Sequence, residues 1–230
     1  MTAVLWLIVV GSLLVPTTSH AESPLVIGGT VGAGHYPLSD WSDFWEEVSI
    51  HYSDERISPS WTAFIGYEIL NHHTLKLTVG HHCIRTQGVL TITSAPDDPS
   101  PIATLVVDWD LSATPVGVAY EFTPRLNDHV DLLAGVEAAY YWSRVDGTVQ
   151  WAYDPDELGP QLDNSGSREE EGYGLTIYLG VRTPISDRVA LTPMVRARYA
   201  DASDFTDHPK SAPIEFTGYD VALGVEIRPF

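Results

Sequence analysis

The stretch Tyr173-Gly174-Leu175-Thr176-Ile177-Tyr178-Leu179-Gly180-Val181 alternates along its length. Tyr173, Leu175, Ile177, Leu179 and Val181 are large and apolar, while Gly174, Thr176, Tyr178 and Gly180 are mostly small or polar. A period of two marks a β-strand with one apolar face. In a soluble sandwich that face meets a second sheet, and in a membrane barrel it meets lipid. The rest of the chain has to decide.

The same alternation recurs in Trp61, Ala63, Ile65, Tyr67 and Ile69, continued by Leu75, Leu77 and Val79. It returns in Val130, Leu132, Ala134, Val136, Ala138, Tyr140 and Trp142, then in Val189, Leu191, Pro193, Val195, Ala197 and Tyr199, and finally in Tyr219, Val221, Leu223, Val225 and Ile227. These runs exceed average sandwich strands and suit strands tilted across a bilayer. Strands are expected at 24–36, 58–70, 74–87, 104–122, 130–144, 171–183, 187–200 and 215–230. Short connections at 70–73, 123–129 and 183–187 alternate with long polar ones at 36–59, 88–103, 145–171 and 201–214. Short turns on one side and long loops on the other belong to an all-β, eight-stranded antiparallel up-and-down transmembrane β-barrel.

The fourth strand breaks the pattern. Leu105, Val107, Trp109 and Leu111 share one parity, Val116, Val118, Tyr120 and Phe122 the other, with Pro115 between them. A bulge at 112–115 would reconcile the two halves, and a local turn that changes the strand count is the alternative.

The opposite parity carries Glu68, Lys76, Glu121, Asp131, Glu137, Arg182, Arg196, Arg198, Asp220, Glu226 and Arg228. Alternation alone also fits a sandwich, so the aromatic residues decide. Trp61, Trp142, Tyr173, Tyr199 and Tyr219 sit on the apolar parity at the long-loop ends of their strands, with Tyr140 beside Trp142, and Tyr67, Tyr120 and Phe122 sit at the short-turn ends. Two such girdles suit the two water–lipid interfaces. The charged parity then lines a narrow lumen, where acids and bases must pair as an interior ionic network. A proton or ion path and a buried catalytic acid are the competing readings.

Residues 3–15 form an apolar run followed by Ser19-His20-Ala21, which reads as a secretory signal peptide over 1–21 with the barrel domain over 22–230. No Lys or Arg precedes the run, so the terminal amine is its positive end. A formal charge of −19 argues against nucleic acid as a partner. Cys83 is the single cysteine, which excludes an intramolecular disulfide.

The segments PVGVAYEFTPRLNDHVDLLAGVEAAYYW, YGLTIYLGVRTPISDRVALTPMVRARYADAS and FTGYDVALGVEIRPF resemble the small eight-stranded outer-membrane barrels of the OmpA-like, OmpX-like and OmpW-like group. The resemblance implies export to the bacterial outer membrane and contact with its lipids and lipopolysaccharide. It also implies a monomer, and assembly by the barrel-insertion machinery, for which Phe230 matches the C-terminal aromatic signal. The function it implies is non-enzymatic, structural or surface-interacting, with a closed charged interior. A conduit for small solutes or hydrophobic compounds, of the OmpW-like kind, is one alternative, and a lipid A-modifying enzyme is the other.

No cofactor is expected. His72 and His73 lie about 30 Å of strand from His81, His82 and Cys83, too far to share one metal ion. One family of lipid-modifying barrels places a His and a Ser two residues apart on a lipid-facing strand, whereas Arg196 to Ser203 contains no histidine. Asp207 and His208 read as solvated. Between 146 and 171, Asp154, Asp156, Glu157, Asp163, Glu169, Glu170 and Glu171 face Arg168 alone, which reads as a solvated loop or as a seat for divalent cations. Trp41, Phe44 and Trp45 would anchor the first loop at the interface, with contact to an apolar ligand or partner as the alternative.

Overall fold

The computed structural model describes residues 24–36, 50–52, 57–95, 98–127, 129–154, 157–161, 166–201 and 216–229. The signal-peptide reading, Trp41, Phe44, Trp45, Ser203, Asp207, His208 and Phe230 lie outside them.

The strands are β1 (Leu25–His35), β2 (Ile50–Tyr52), β3 (Ile57–Leu70), β4 (His73–Ala95), β5 (Asp98–Phe122), β6 (Arg125–Asn127), β7 (Val130–Asp154), β8 (Glu157–Gln161), β9 (Gly166–Pro184), β10 (Val189–Asp201) and β11 (Gly218–Ile227). Eight of them close a ring in the order β1-β3-β4-β5-β7-β9-β10-β11, every pairing antiparallel. The seam runs from Ile27 opposite Ile227 to His35 opposite Tyr219 and joins the first and last of the described strands. Closure satisfies backbone donors and acceptors within the wall, as a strand structure in lipid requires. Beyond the ring, β2 pairs with β4, and β6 and β8 pair with β7. At the tight β3–β4 turn, His72 takes a left-handed φ of 71°.

Two expectations are corrected. The long connections at 88–103 and 145–171 are largely strand: β4 and β5 stay paired up to Ala95 opposite Asp98, and β7 stays paired with β5 up to Ala152 opposite Thr104. There is also no bulge at 112–115. Against β7 the register of β5 runs without a shift from Thr104 opposite Ala152 to Phe122 opposite Ala134.

What changes along β5 is the medium, not the parity. Val116, Val118, Tyr120 and Phe122 point outward and are exposed, whereas Val107, Trp109 and Leu111 point inward and are buried. On the outward face the hydrophobics give way to Asp110 and Asp108, hydrogen-bonded to Arg85 and Gln87 of β4. β7 switches at the same height, from exposed Leu132, Val136 and Trp142 to Arg144 and Asp146. From Leu132 to Trp142 is about 33 Å of strand, which at a tilt of roughly 40° stands about 25 Å tall, the height of a membrane barrel's apolar band. Above it the wall is dressed for water, with an apolar core of its own formed by Tyr36, Ile84, Trp109, Leu111, Tyr141, Val145 and Phe216.

The ring is lopsided. β4, β5 and β7 have 23, 25 and 25 residues, whereas β1, β3, β10 and β11 have 11, 14, 13 and 10. One side of the barrel therefore rises beyond the upper girdle as an arm.

Candidate functional site

Most of the buried ionisable groups lie in the lumen in two storeys beneath the apolar core, while Glu170, paired with Arg168, lies beside that core. In the lower storey, the Lys76 ammonium of β4 donates to Glu121 of β5 at 2.8 Å and to Glu226 of β11 at 2.7 Å, and it lies 4.1 Å from the centroid of the Phe64 ring. Arg182 of β9 extends the chain to Glu226 and to Asp131, both at 3.0 Å. The Tyr178 hydroxyl donates to Glu121 at 3.4 Å, and Arg228 meets Glu68 at 2.9 Å.

The upper storey centres on Asp220 of β11. Arg196 of β10 donates to its Oδ1 at 2.5 Å, and also to Ser60 at 3.0 Å and Thr30 at 3.2 Å. Arg198 donates to the Tyr36 hydroxyl at 2.6 Å, which donates in turn to Asp220 Oδ2 at 3.0 Å. Arg198 also approaches His82 Nδ1 at 3.2 Å. A guanidinium only donates, so Nδ1 must accept and the imidazole proton sits on Nε2. Glu137, between the storeys, accepts from Thr78 at 2.5 Å.

The structure thus brings Lys76, Glu121, Glu226, Arg182 and Asp131 into one chain of charges, and Arg196, Arg198 and Asp220 into another. Trp61, Tyr67, Tyr120, Phe122, Trp142, Tyr173, Tyr199 and Tyr219 are exposed on the outer face, and Tyr140 is partly covered among its neighbours. The histidine group separates: His82 is fully buried in the lumen, while His73 at the other end meets the Tyr120 hydroxyl at 2.5 Å. Among the described residues, no group of three or more His, Cys, Asp or Glu is placed to hold a metal ion. The residues read as an acidic loop at 146–154 and 166–171 belong to paired strands, where Arg144 meets Asp146 at 2.9 Å and Arg168 pairs with Glu170. The hydrogen bond and charge of Asp146 raise the Arg144 pKa further above its ordinary value.

Sequence reasoning missed the inward aromatic residues Tyr36, Tyr141, Tyr178 and Phe216. Two of them carried a signal, because Tyr141 and Tyr178 stand on the charged parity. Small partners make room for them. Tyr178 lies directly across from Gly135, where a Cβ would come within 2.1 Å of the phenol ring, and a Cβ on Gly174 would come within 2.6 Å of Tyr141.

With acids and bases paired side chain to side chain and bulky groups above them, this interior is suited to stiffening a wall. Each pair is costly to break, because a partner left alone is a charge out of water.

No protein-family model matches the chain, and no curated protein matches it by sequence. Among solved structures the chain is similar to Neisserial surface protein A, at 12% identity over 91% of this chain and 99% of that one, with a TM-score of 0.45. It is similar to Ail, the attachment invasion locus protein of Yersinia pestis, at 11% identity over 89% and 98% of the two chains, with a TM-score of 0.39. It is also similar to the outer membrane protease OmpT of Escherichia coli, at 8% identity over 92% and 99%, with a TM-score of 0.43. At these identities and TM-scores the likeness says nothing of what this chain does.

Proposed function

We propose that this protein is a non-enzymatic barrel of the bacterial outer membrane with a lumen closed to solutes, and that it holds a rigid β-arm above the surface for structural or surface-interaction work. The observation that carries this reading is the inversion of polarity along β4, β5 and β7. One wall is apolar outside and charged inside over a bilayer's thickness, then mainly polar outside and mainly apolar inside above it, with Val106 outside and Thr86 and Ser143 inside as the exceptions. A pore has no use for an apolar core across its mouth, whereas a projecting support needs one. Export by a cleaved signal peptide, insertion directed by Phe230, contact with lipopolysaccharide and a monomeric state belong to the same reading.

The test is reconstitution into planar bilayers. A closed support gives no steady conductance steps, and stepwise currents would replace this reading with the solute conduit. Lipid A from expressing cells, examined by mass spectrometry, should be unchanged. A new acylation pattern would make the protein an enzyme.

A further inference from the structure

We propose that Arg125 and Arg188 hold the phosphate groups of anionic phospholipids in the periplasmic leaflet, which the short turns of an outer-membrane barrel face. The inference rests on the barrel lying in a bilayer. All the described lysines and arginines except these two meet an acidic side chain, and these two are exposed at the same end of the barrel. Both stand at the foot of the apolar band. Arg125 is the register partner of Asp131, one residue below Leu132, and Asp131 is itself taken by Arg182 at 3.0 Å. Arg188 lies one rung below Val189 and Ile227, where its carbonyl accepts from the Arg228 amide at 2.8 Å. That rung sets two arginines directly across from each other, and Glu68 meets Arg228 alone among the described residues.

Each of the two guanidinium groups has an aliphatic neighbour that the protein leaves uncovered. Leu126 beside Arg125 is 66% exposed, and Ile185 in the same turn as Arg188 is 62% exposed. An aliphatic side chain at the acyl boundary beside a cation at headgroup height suits the edge of a lipid leaflet. The guanidinium fork matches phosphate oxygens, which accept two of its hydrogen bonds at once. Net charge does not oppose the contact: in the short connections Arg125 and Arg188 balance Asp128 and Asp187, in a chain whose formal charge is −19. On the outer face at the long-loop end, by contrast, the arginines are already held, Arg85 by Asp110 and Arg144 by Asp146. Arginines without an acid partner are thus confined to the end that faces phospholipid, where a basic residue near the surface attracts anionic headgroups.

The test uses the folded full chain in a neutral maltoside detergent, titrated with short-chain phosphatidylglycerol and separately with phosphatidylcholine of the same chain length, and read by native mass spectrometry. Phosphatidylglycerol should bind about tenfold more tightly at low salt, and Arg125→Gln and Arg188→Gln should each reduce that preference about threefold. Raising the salt to roughly 0.5 M should erode it. Arg144→Gln, at the other end of the barrel, should leave it unchanged. These are surface changes, whose folding is checked by the gel shift on heating. Equal affinity for the two headgroups, a preference that survives the double variant, an equal loss with Arg144→Gln, or displacement of the lipid by millimolar inorganic phosphate would each overturn the site. Failure of the barrel to enter liposomes would overturn the membrane reading and this site with it, whereas entry without headgroup preference would overturn the site alone.

Discussion

Arg196 and Asp220 are register partners on β10 and β11, and the guanidinium of one donates to the carboxylate of the other at 2.5 Å inside the lumen, with side chains 5% and 1% exposed. Each is the largest reason the other tolerates burial. Arg196→Ala should lower the unfolding free energy in urea by about 3 kcal/mol, because Asp220 loses its closest cation and keeps only the Tyr36 hydroxyl and Arg198, 3.7 Å away. Asp220→Ala should cost a similar amount, and the double variant less than the sum. Leu191→Val on the lipid face should cost well under this. Combined with Glu137→Ala, Arg196→Ala should be close to additive, since the Glu137 carboxylate is held by Thr78.

The pairing of Gly135 with Tyr178 makes an opposite prediction from the usual strand rule. Alanine is generally better than glycine inside a strand by roughly 0.5–1 kcal/mol. Here Gly135→Ala should destabilise by about 1–3 kcal/mol, because its Cβ would meet the phenol ring. Tyr178→Ala in the same chain should remove most of that penalty, as read by urea unfolding.

The inversion of polarity can be mapped by labelling. In a Cys83→Ser background, single cysteines at Leu132, Val136 or Leu179 should resist a water-soluble maleimide in proteoliposomes, and cysteines at Asp110, Arg144 or Asp146 should react readily. Equal reactivity of the two sets would show that the apolar face is not in lipid.

A closed ladder exposes no edge from which to unzip. The folded barrel should therefore resist SDS at room temperature and change its gel mobility on boiling. Protease added to the native protein should spare Val145 to Ala152, where β7 is hydrogen-bonded to β5. Early cleavage there would contradict the extended arm.

The strands that cross the membrane were legible in the sequence because lipid demands a strict period of two, and Tyr173 to Val181 supplies it without interruption. The arm was not, because alternation says which residues share a face but not what that face touches. Leu105 to Leu111 look like a lipid-facing set that has slipped by one residue, and a bulge is the natural repair. The same residues fit an unbroken strand once the apolar side is allowed to turn inward above the membrane. The charged parity could likewise be read from single residues, but its partners could not. Arg196 meets Asp220 rather than Glu137 because β10 and β11 are adjacent and set those two residues opposite each other, and alternation alone does not give the register between two strands joined by a long connection. The inward tyrosines were hidden for a further reason: a Tyr on a polar parity reads as polar until its glycine neighbour is seen to leave room for the ring.

The seam between β1 and β11 also dictates an order of assembly. Every other junction of the ring joins strands that are neighbours along the chain, apart from the three bridged across the short β2, β6 and β8 segments, so hairpins can form as each strand becomes available. Joining Ile27 to Ile227 must wait for the whole wall, since it closes the longest loop the molecule contains. The first strand then lies unpaired on one side until the last is in place. With Gly28, Gly29, Gly32 and Gly34 among its eleven residues, β1 is a strand of little bulk. The step that turns a curled sheet into a barrel is thus a zipper between a slender first strand and the C-terminal one, and kinetic control over the whole fold is concentrated there.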